Sequence, residues 1–181
     1  EITAEAGAGA FYGMQTVLQL LPAEIESKSV VKTDWTLPCV TIEDAPRFTY
    51  RGLMCDPCRH FMTVEEVKRQ IDLMAMLKIN TFHWHLTEDQ GWRMEIKKYP
   101  KLTEVGATRI EGEGTTHSGF YTQEEMKDVV AYAAERFITV IPELETPGHE
   151  LAAIAAYPHL SCTGEEVDPR IIWGVEDLVM C

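Results

Sequence analysis

The chain has 181 residues, 45% of them hydrophobic and 25% charged, enough apolar material to bury a core and too little bias for a disordered or fibrous protein. Sixteen basic against twenty-nine acidic residues leave a net charge of -13, which excludes nucleic acid or an anionic membrane as the natural partner and suits a neutral one. No run approaches roughly 18 apolar residues, so no membrane span is read, and Glu1 to Glu5 lack the basic and apolar regions of a signal peptide.

The first 25 residues contain a glycine-rich stretch, Gly7 to Gly13, read as a turn. Apolar residues at 14, 17, 18, 20 and 21 then fit one face of a short helix stopped by Pro22. The glycines match neither a dinucleotide fingerprint nor a phosphate loop. Glu24 to Pro46 is a polar connection with one short strand expected near 39–42, and it marks a domain boundary. Five cysteines, Cys39, Cys55, Cys58, Cys162 and Cys181, are odd in number and too sparse for a disulfide scaffold. Cys55 and Cys58 form a CxxC without a second pair, so buried free thiols are expected there rather than a metal or redox centre.

From Arg47 a repeating order begins. Phe48 to Met54 reads as a strand. Thr63 and Glu66 form a capping box at the start of a helix carrying Val67, Ile71, Met74 and Ala75 at helical spacing. A strand over 79–86 follows, with Phe82, Trp84 and Leu86 on its core face and His83 and His85 on the other, and it runs straight into Glu88 and Asp89. Alone, such a stretch is equally a pair of satisfied core histidines and a solvated turn. A second one, Val140 to His149, again sends an apolar strand into carboxylates and a histidine, and two of them indicate a shared site at one end of a sheet.

Between them, the connection from Gly91 to Gly119 is long enough to shape a binding site. Thr122 and Glu125 repeat the capping box before a second amphipathic helix with Met126, Val129, Val130 and Ala133. A strand over 137–142 and a helix over 151–157, ended by Pro158, complete the pattern. Three strands alternating with three helices predict a parallel α/β arrangement, either a doubly wound sheet or part of a (β/α)8 barrel, which needs about 250 residues.

Tyr50-Arg51-Gly52 with Asp56 and Arg59-His60-Phe61, then His83 to Trp92, then Pro142 to His149, together resemble the β-N-acetylhexosaminidases of glycoside hydrolase family 20. The likeness runs from Phe11 to Cys162. It implies a (β/α)8 barrel whose first strands and helices occupy 41–181, preceded by the end of a small α+β domain in 1–40. The implied substrate is terminal β-linked N-acetylglucosamine or N-acetylgalactosamine on an oligosaccharide or glycoconjugate. No cofactor or metal is implied. Catalysis in the family is substrate-assisted: the 2-acetamido oxygen attacks the anomeric carbon while a glutamic acid protonates the leaving oxygen.

By the same resemblance, Arg59 matches the arginine that holds sugar hydroxyls. Glu88 and His149 match the pair acting on the protonation of the acid, and Glu145 stands beside them. Both Glu88 and Glu145 occupy positions where many relatives carry Asp. Asp56, Arg51 and His85 rank lower, as supporting or core groups. The Gly-Gly-Asp-Glu-like motif that carries the acid does not occur in this sequence, so the chain by itself is expected to be inactive, truncated before that strand. A periplasmic, secreted or lysosome-like compartment is implied for the whole protein. Two other readings compete: a noncatalytic sugar-binding or structural module, and a barrel hydrolase binding metal through His83, His85 and a carboxylate.

Overall fold

Alternating side chains along one central strand divide the molecule into a packed face and a chemical face. The computed structural model describes residues 1–181. Its main sheet contains β1 (Gly52–Cys55), β2 (Thr81–His85) and β7 (Thr139–Glu143). They lie parallel in the order β1-β2-β7. The register places Met54, His83 and Ile141 side by side, and His85 beside Glu143. Two residues, Phe82 and Trp84, point with Leu86 to the opposite side, where they are fully buried.

That side is covered by α2 (Val64–Met76) and α4 (Gln123–Ala134). Both helices start where their sequence stops them fraying: the Thr63 and Thr122 hydroxyls accept from the N–H groups of Glu66 and Glu125, whose carboxylates accept from the threonine N–H groups in return. The helices contribute Val67, Ile71, Met74, Ala75, Val129 and Ala133 to one core with Phe82, Trp84, Leu86, Tyr121 and Ile138. Each large side chain so buried contributes roughly 1.5–3 kcal/mol.

Three features differ from the sequence reading. The glycine-rich stretch is not a turn but the first half of α1 (Gly7–Leu20). Its glycines serve close packing, since a Cβ at Gly13 would overlap Ile2 and one at Gly7 would press on the Phe137 ring. Residues 39–42 form no strand, and Val40 and Ile42 are exposed with no partner backbone beside them. Of the cysteines, Cys58 alone is buried as a free thiol; Cys55 is half-buried, Cys39 is exposed, and Cys162 and Cys181 form a disulfide.

The long connection after β2 folds into small pieces. A two-stranded turn pairs β3 (Thr87–Glu88) with β4 (Gly91–Trp92), and α3 (Lys101–Glu104) precedes a hairpin of β5 (Thr108–Ile110) and β6 (Thr116–Ser118). Trp92 and Leu102 bury themselves against the alanines of α5 (Leu151–Ala156), forming a second, smaller core. Arg93 ties these pieces together. Its guanidinium is fully buried, faces no carboxylate, and donates to the carbonyls of Pro57, Cys58, Ala107 and Gly119 at 2.7–3.0 Å. Burial pushes its pKa down to about 10.

Candidate active site

The C-terminal ends of the three parallel strands converge on one carboxylate. Asp56 and Arg59 follow β1, Glu88 follows β2, and Glu145 and His149 follow β7. Glu88 is buried, and four groups face its two oxygens. Its Oε1 takes the His149 Nδ1–H at 2.6 Å and the Asp89 N–H at 3.0 Å. Its Oε2 bonds His85 Nε2 at 3.1 Å and pairs in charge with Arg59 Nη2 at 2.8 Å. Burial alone would raise the pKa of Glu88, but the bonds from His85, Asp89 and His149, with the charge of Arg59, hold it below the ordinary carboxylate range.

Arg59 is held on three sides. Its Nε donates to Gln90 Oε1 at 2.9 Å, and its Nη1 reaches Asp56 Oδ2 at 2.5 Å, beside the bond to Glu88. Two of the five guanidinium N–H groups donate in this way and Nη2 pairs in charge with Glu88, on a side chain that is 35% exposed. Behind it, Arg109 Nη2 donates to the Arg59 carbonyl and Nη1 to the Gln90 carbonyl. A cationic fork in a fixed plane with uncommitted donors is suited to vicinal hydroxyls or another paired acceptor.

On the chemical face of the sheet, the register brings His85 and Glu143 together, with Nδ1 to Oε2 at 2.8 Å but off the line of a hydrogen bond. His83 Nε2 lies 2.5 Å from the same oxygen. Burial opposes a charged His85, yet Glu88 and Glu143 push it up to about 9. Glu145 lies next to Glu143: the neighbouring carboxylate and burial raise the pKa of Glu145, while Glu143, despite its own burial, is held down by Glu145 and His85. Glu145 itself contacts His85 only at 4.0 Å. Further back, burial and then Glu145, Asp89 and Glu88 push Glu150 up to about 8.

The site residues read from sequence, Arg59, Glu88, Glu145 and His149, are thus gathered at one end of the sheet. His85, which the sequence reading ranked lower, and Glu143, which it did not single out, meet at the same end. The signal was available in the pairing of neighbouring strands, since residues aligned across a parallel pair share a face. Three groups have metal-ligand identity, namely Asp56 with Cys58 and His85, His85 with Glu143 and Glu145, and Glu88 with Asp89 and His149. His85, shared by the first two groups, has carboxylates facing both of its nitrogens. A depression of about 700 Å³ lies elsewhere, at the opposite ends of the strands beside Tyr12, Arg51 and Phe137, and holds no acid pair.

Residues 48–181 match the model of the glycosyl hydrolase family 20 catalytic domain, and residues 1–45 match that family's domain 2. The chain belongs to glycosyl hydrolase family 20. It is 64% identical to a beta-hexosaminidase of Porphyromonas gingivalis over 99% of its own length and 23% of that protein, and 48% identical to one of Vibrio furnissii over 87% and 26%. It therefore spans about a quarter of the length of these curated relatives. It superposes on the Streptomyces plicatus beta-hexosaminidase, solved as a mutant with the product GlcNAc, with a TM-score of 0.93 and 42% identity over 99% of this chain and 36% of that one. A family 20 beta-N-acetylhexosaminidase of Streptomyces coelicolor superposes at 0.90 with 41% identity, over 96% and 35%. The catalytic domains of the family are TIM-barrel glycosidases, and this chain is an α/β portion of one.

Proposed function

We propose that the whole protein carrying this chain removes terminal β-linked N-acetylglucosamine or N-acetylgalactosamine from oligosaccharides or glycoconjugates by substrate-assisted, retaining catalysis. In this reading residues 1–40 end a small α+β domain, and 41–181 supply the first three strands of the (β/α)8 barrel. The observation that carries the reading is Glu88, with Arg59 on one oxygen and His149 on the other.

Each residue then has a definite task. The uncommitted N–H groups of Arg59 hold hydroxyls of the terminal sugar, with Asp56, Glu88 and Gln90 fixing the fork. His149 donates through Nδ1 to Glu88, which leaves its Nε2 as the acceptor when the ring is neutral. That nitrogen belongs to a half-exposed side chain, and in this reading it exchanges a proton with the general acid supplied by another strand. Glu145 and Glu143 lie beside His85 and act as supports. The acid protonates the leaving oxygen as the acetamido oxygen attacks the anomeric carbon, and water then opens the cyclic intermediate. The chain of 181 residues alone, with no Gly-Asp-Glu motif, is expected to be inactive. The Cys162–Cys181 disulfide supports a periplasmic, secreted or lysosome-like location.

The test is hydrolysis of a chromogenic N-acetyl-β-glucosaminide by the whole protein and by Arg59→Lys. An ammonium cannot reproduce the fork, so kcat/KM is expected to fall by about 2–4 kcal/mol of transition-state binding. Binding of N-acetylglucosamine without turnover by the unaltered protein would favour a noncatalytic sugar-binding module instead.

A further inference from the structure

Gln90 is buried where Arg59 meets a stretch of chain far from it in sequence. Its Oε1 accepts Arg59 Nε–H at 2.9 Å, and its Nε2 donates to the carbonyls of Ile172 at 3.1 Å and Gly174 at 3.0 Å. Turning this amide over would set its NH2 group against the guanidinium and its oxygen against two carbonyls, so all three bonds would be lost. The carbonyls at 172 and 174 therefore decide which end of Gln90 faces Arg59. That choice matters for the fork: with Nη1 on Asp56 and Nη2 beside Glu88, Nε is the third point that fixes its plane.

The two carbonyls are themselves held. Asp89, fully buried next to Gln90, accepts Arg170 N–H at its carbonyl and Glu176 N–H at Oδ2, one on either side of them. The Arg170 guanidinium pairs with the Glu176 carboxylate across the same stretch. Cys162 and Cys181 close it into a ring, and at the base of that ring Cys181 N–H donates to the Leu160 carbonyl and Met180 N–H to the Pro147 carbonyl. Every one of these contacts lies within the 181 residues.

Resting on the function proposed above, we propose that residues 170–176 are a disulfide-closed strap that positions Arg59 for the terminal sugar, with Gln90 as the positioning residue that transmits its hold. A disulfide leaves the ring it closes fewer conformations, which keeps the two carbonyls where the amide needs them. Opening the ring frees Gln90 to rotate, and the sugar then meets a fork whose plane is no longer set. The general acid is supplied by another strand in this reading, so binding suffers more than turnover of the bound sugar.

The experiment uses the whole protein unaltered, with Cys162→Ala and Cys181→Ala together, with Gln90→Met, and with all three changes. Methionine has the length of glutamine but can make neither end of the link. For the cysteine pair and for Gln90→Met, KM for a chromogenic N-acetyl-β-glucosaminide and Ki for free N-acetylglucosamine should each rise about tenfold, the low end of what one hydrogen bond to a charged group is worth, with kcat changed by less than about threefold. The combined form should be little worse than the poorer of the two, because both break one link. A disulfide that only stabilises the fold would lower Tm and leave KM and Ki of the folded enzyme unmoved, and that result would overturn the strap. Rises that multiply in the combined form would overturn it too. Should the cysteine pair fail to fold, unchanged KM and Ki in Gln90→Met alone would refute it. If the unaltered protein hydrolyses no N-acetylglucosaminide, the hexosaminidase reading fails first and the strap falls with it, whereas normal turnover with unmoved KM in the altered forms refutes the strap alone.

Discussion

Replacing Arg93 by Lys tests how the loop bearing Arg59 is held. Arg93 donates four hydrogen bonds from one plane to the carbonyls of Pro57, Cys58, Ala107 and Gly119. Lysine keeps the charge but offers three donors on a tetrahedral nitrogen, so one carbonyl loses its partner by count and a second by direction. Each buried carbonyl left unpaired costs about 1–3 kcal/mol, giving roughly 2–6 kcal/mol in total for two. That is a large share of the 5–15 kcal/mol by which domains are stable, and at about 2–4 °C per kcal/mol it corresponds to a fall in Tm of about 4–24 °C. Because the Pro57 and Cys58 carbonyls immediately precede Arg59, the fork should also shift. Scanning calorimetry and chromogenic assay of the whole protein are expected to show a lower Tm and, in the surviving folded enzyme, a raised KM. An unchanged Tm with unchanged kinetics would refute the view that Arg93 sets the position of Arg59.

Two further outcomes follow from the same packing. His85 has its folded pKa raised to about 9, above its ordinary value near 6.5, so its stabilising contribution is complete below about 6.5 and is lost as pH rises through 9. The gap of about 2.5 units caps this contribution at roughly 3 kcal/mol. Tm should fall between pH 7 and 9.5 more in the unaltered protein than in His85→Phe, and identical pH profiles would remove the paired imidazolium. Gly119 has φ 157°, and a Cβ there would overlap the Phe61 ring. Gly119→Ala should therefore cost about 1–3 kcal/mol in urea titration, with Phe61→Leu relieving part of it, and a neutral effect would show that the ring moves freely.

What could be read in advance was whatever depends on local spacing. The capping boxes at Thr63 and Thr122 start the two helices where the threonine and glutamate positions indicate. The alternation through Phe82, His83, Trp84 and His85 sorted core from chemical face. Acids after strands marked the site end, because strand ends in a parallel sheet are brought together by the fold itself. The failures came from long-range partners. Gly7 to Gly13 looks like a turn by composition, yet helix and close packing against Ile2 and Phe137 decide it. Residues 39–42 have strand-like side chains but no neighbouring backbone. His85 ranked as a supporting or core group, and only the strand register places Glu143 beside it; no local spacing shows that the Gln90 amide meets both Arg59 and the backbone at 172 and 174.

The account stands most on Arg59 and His149 acting as one unit through Glu88, and a double-mutant cycle measures this directly. Arg59 and His149 bind different oxygens of the same carboxylate. With kcat/KM on a chromogenic N-acetyl-β-glucosaminide determined for the whole protein, for Arg59→Lys, for His149→Ala and for the pair, the double variant should be little worse than the poorer single one. Losses that add in free energy to within about 0.5 kcal/mol would mean that the two residues work independently and that Glu88 does not join them.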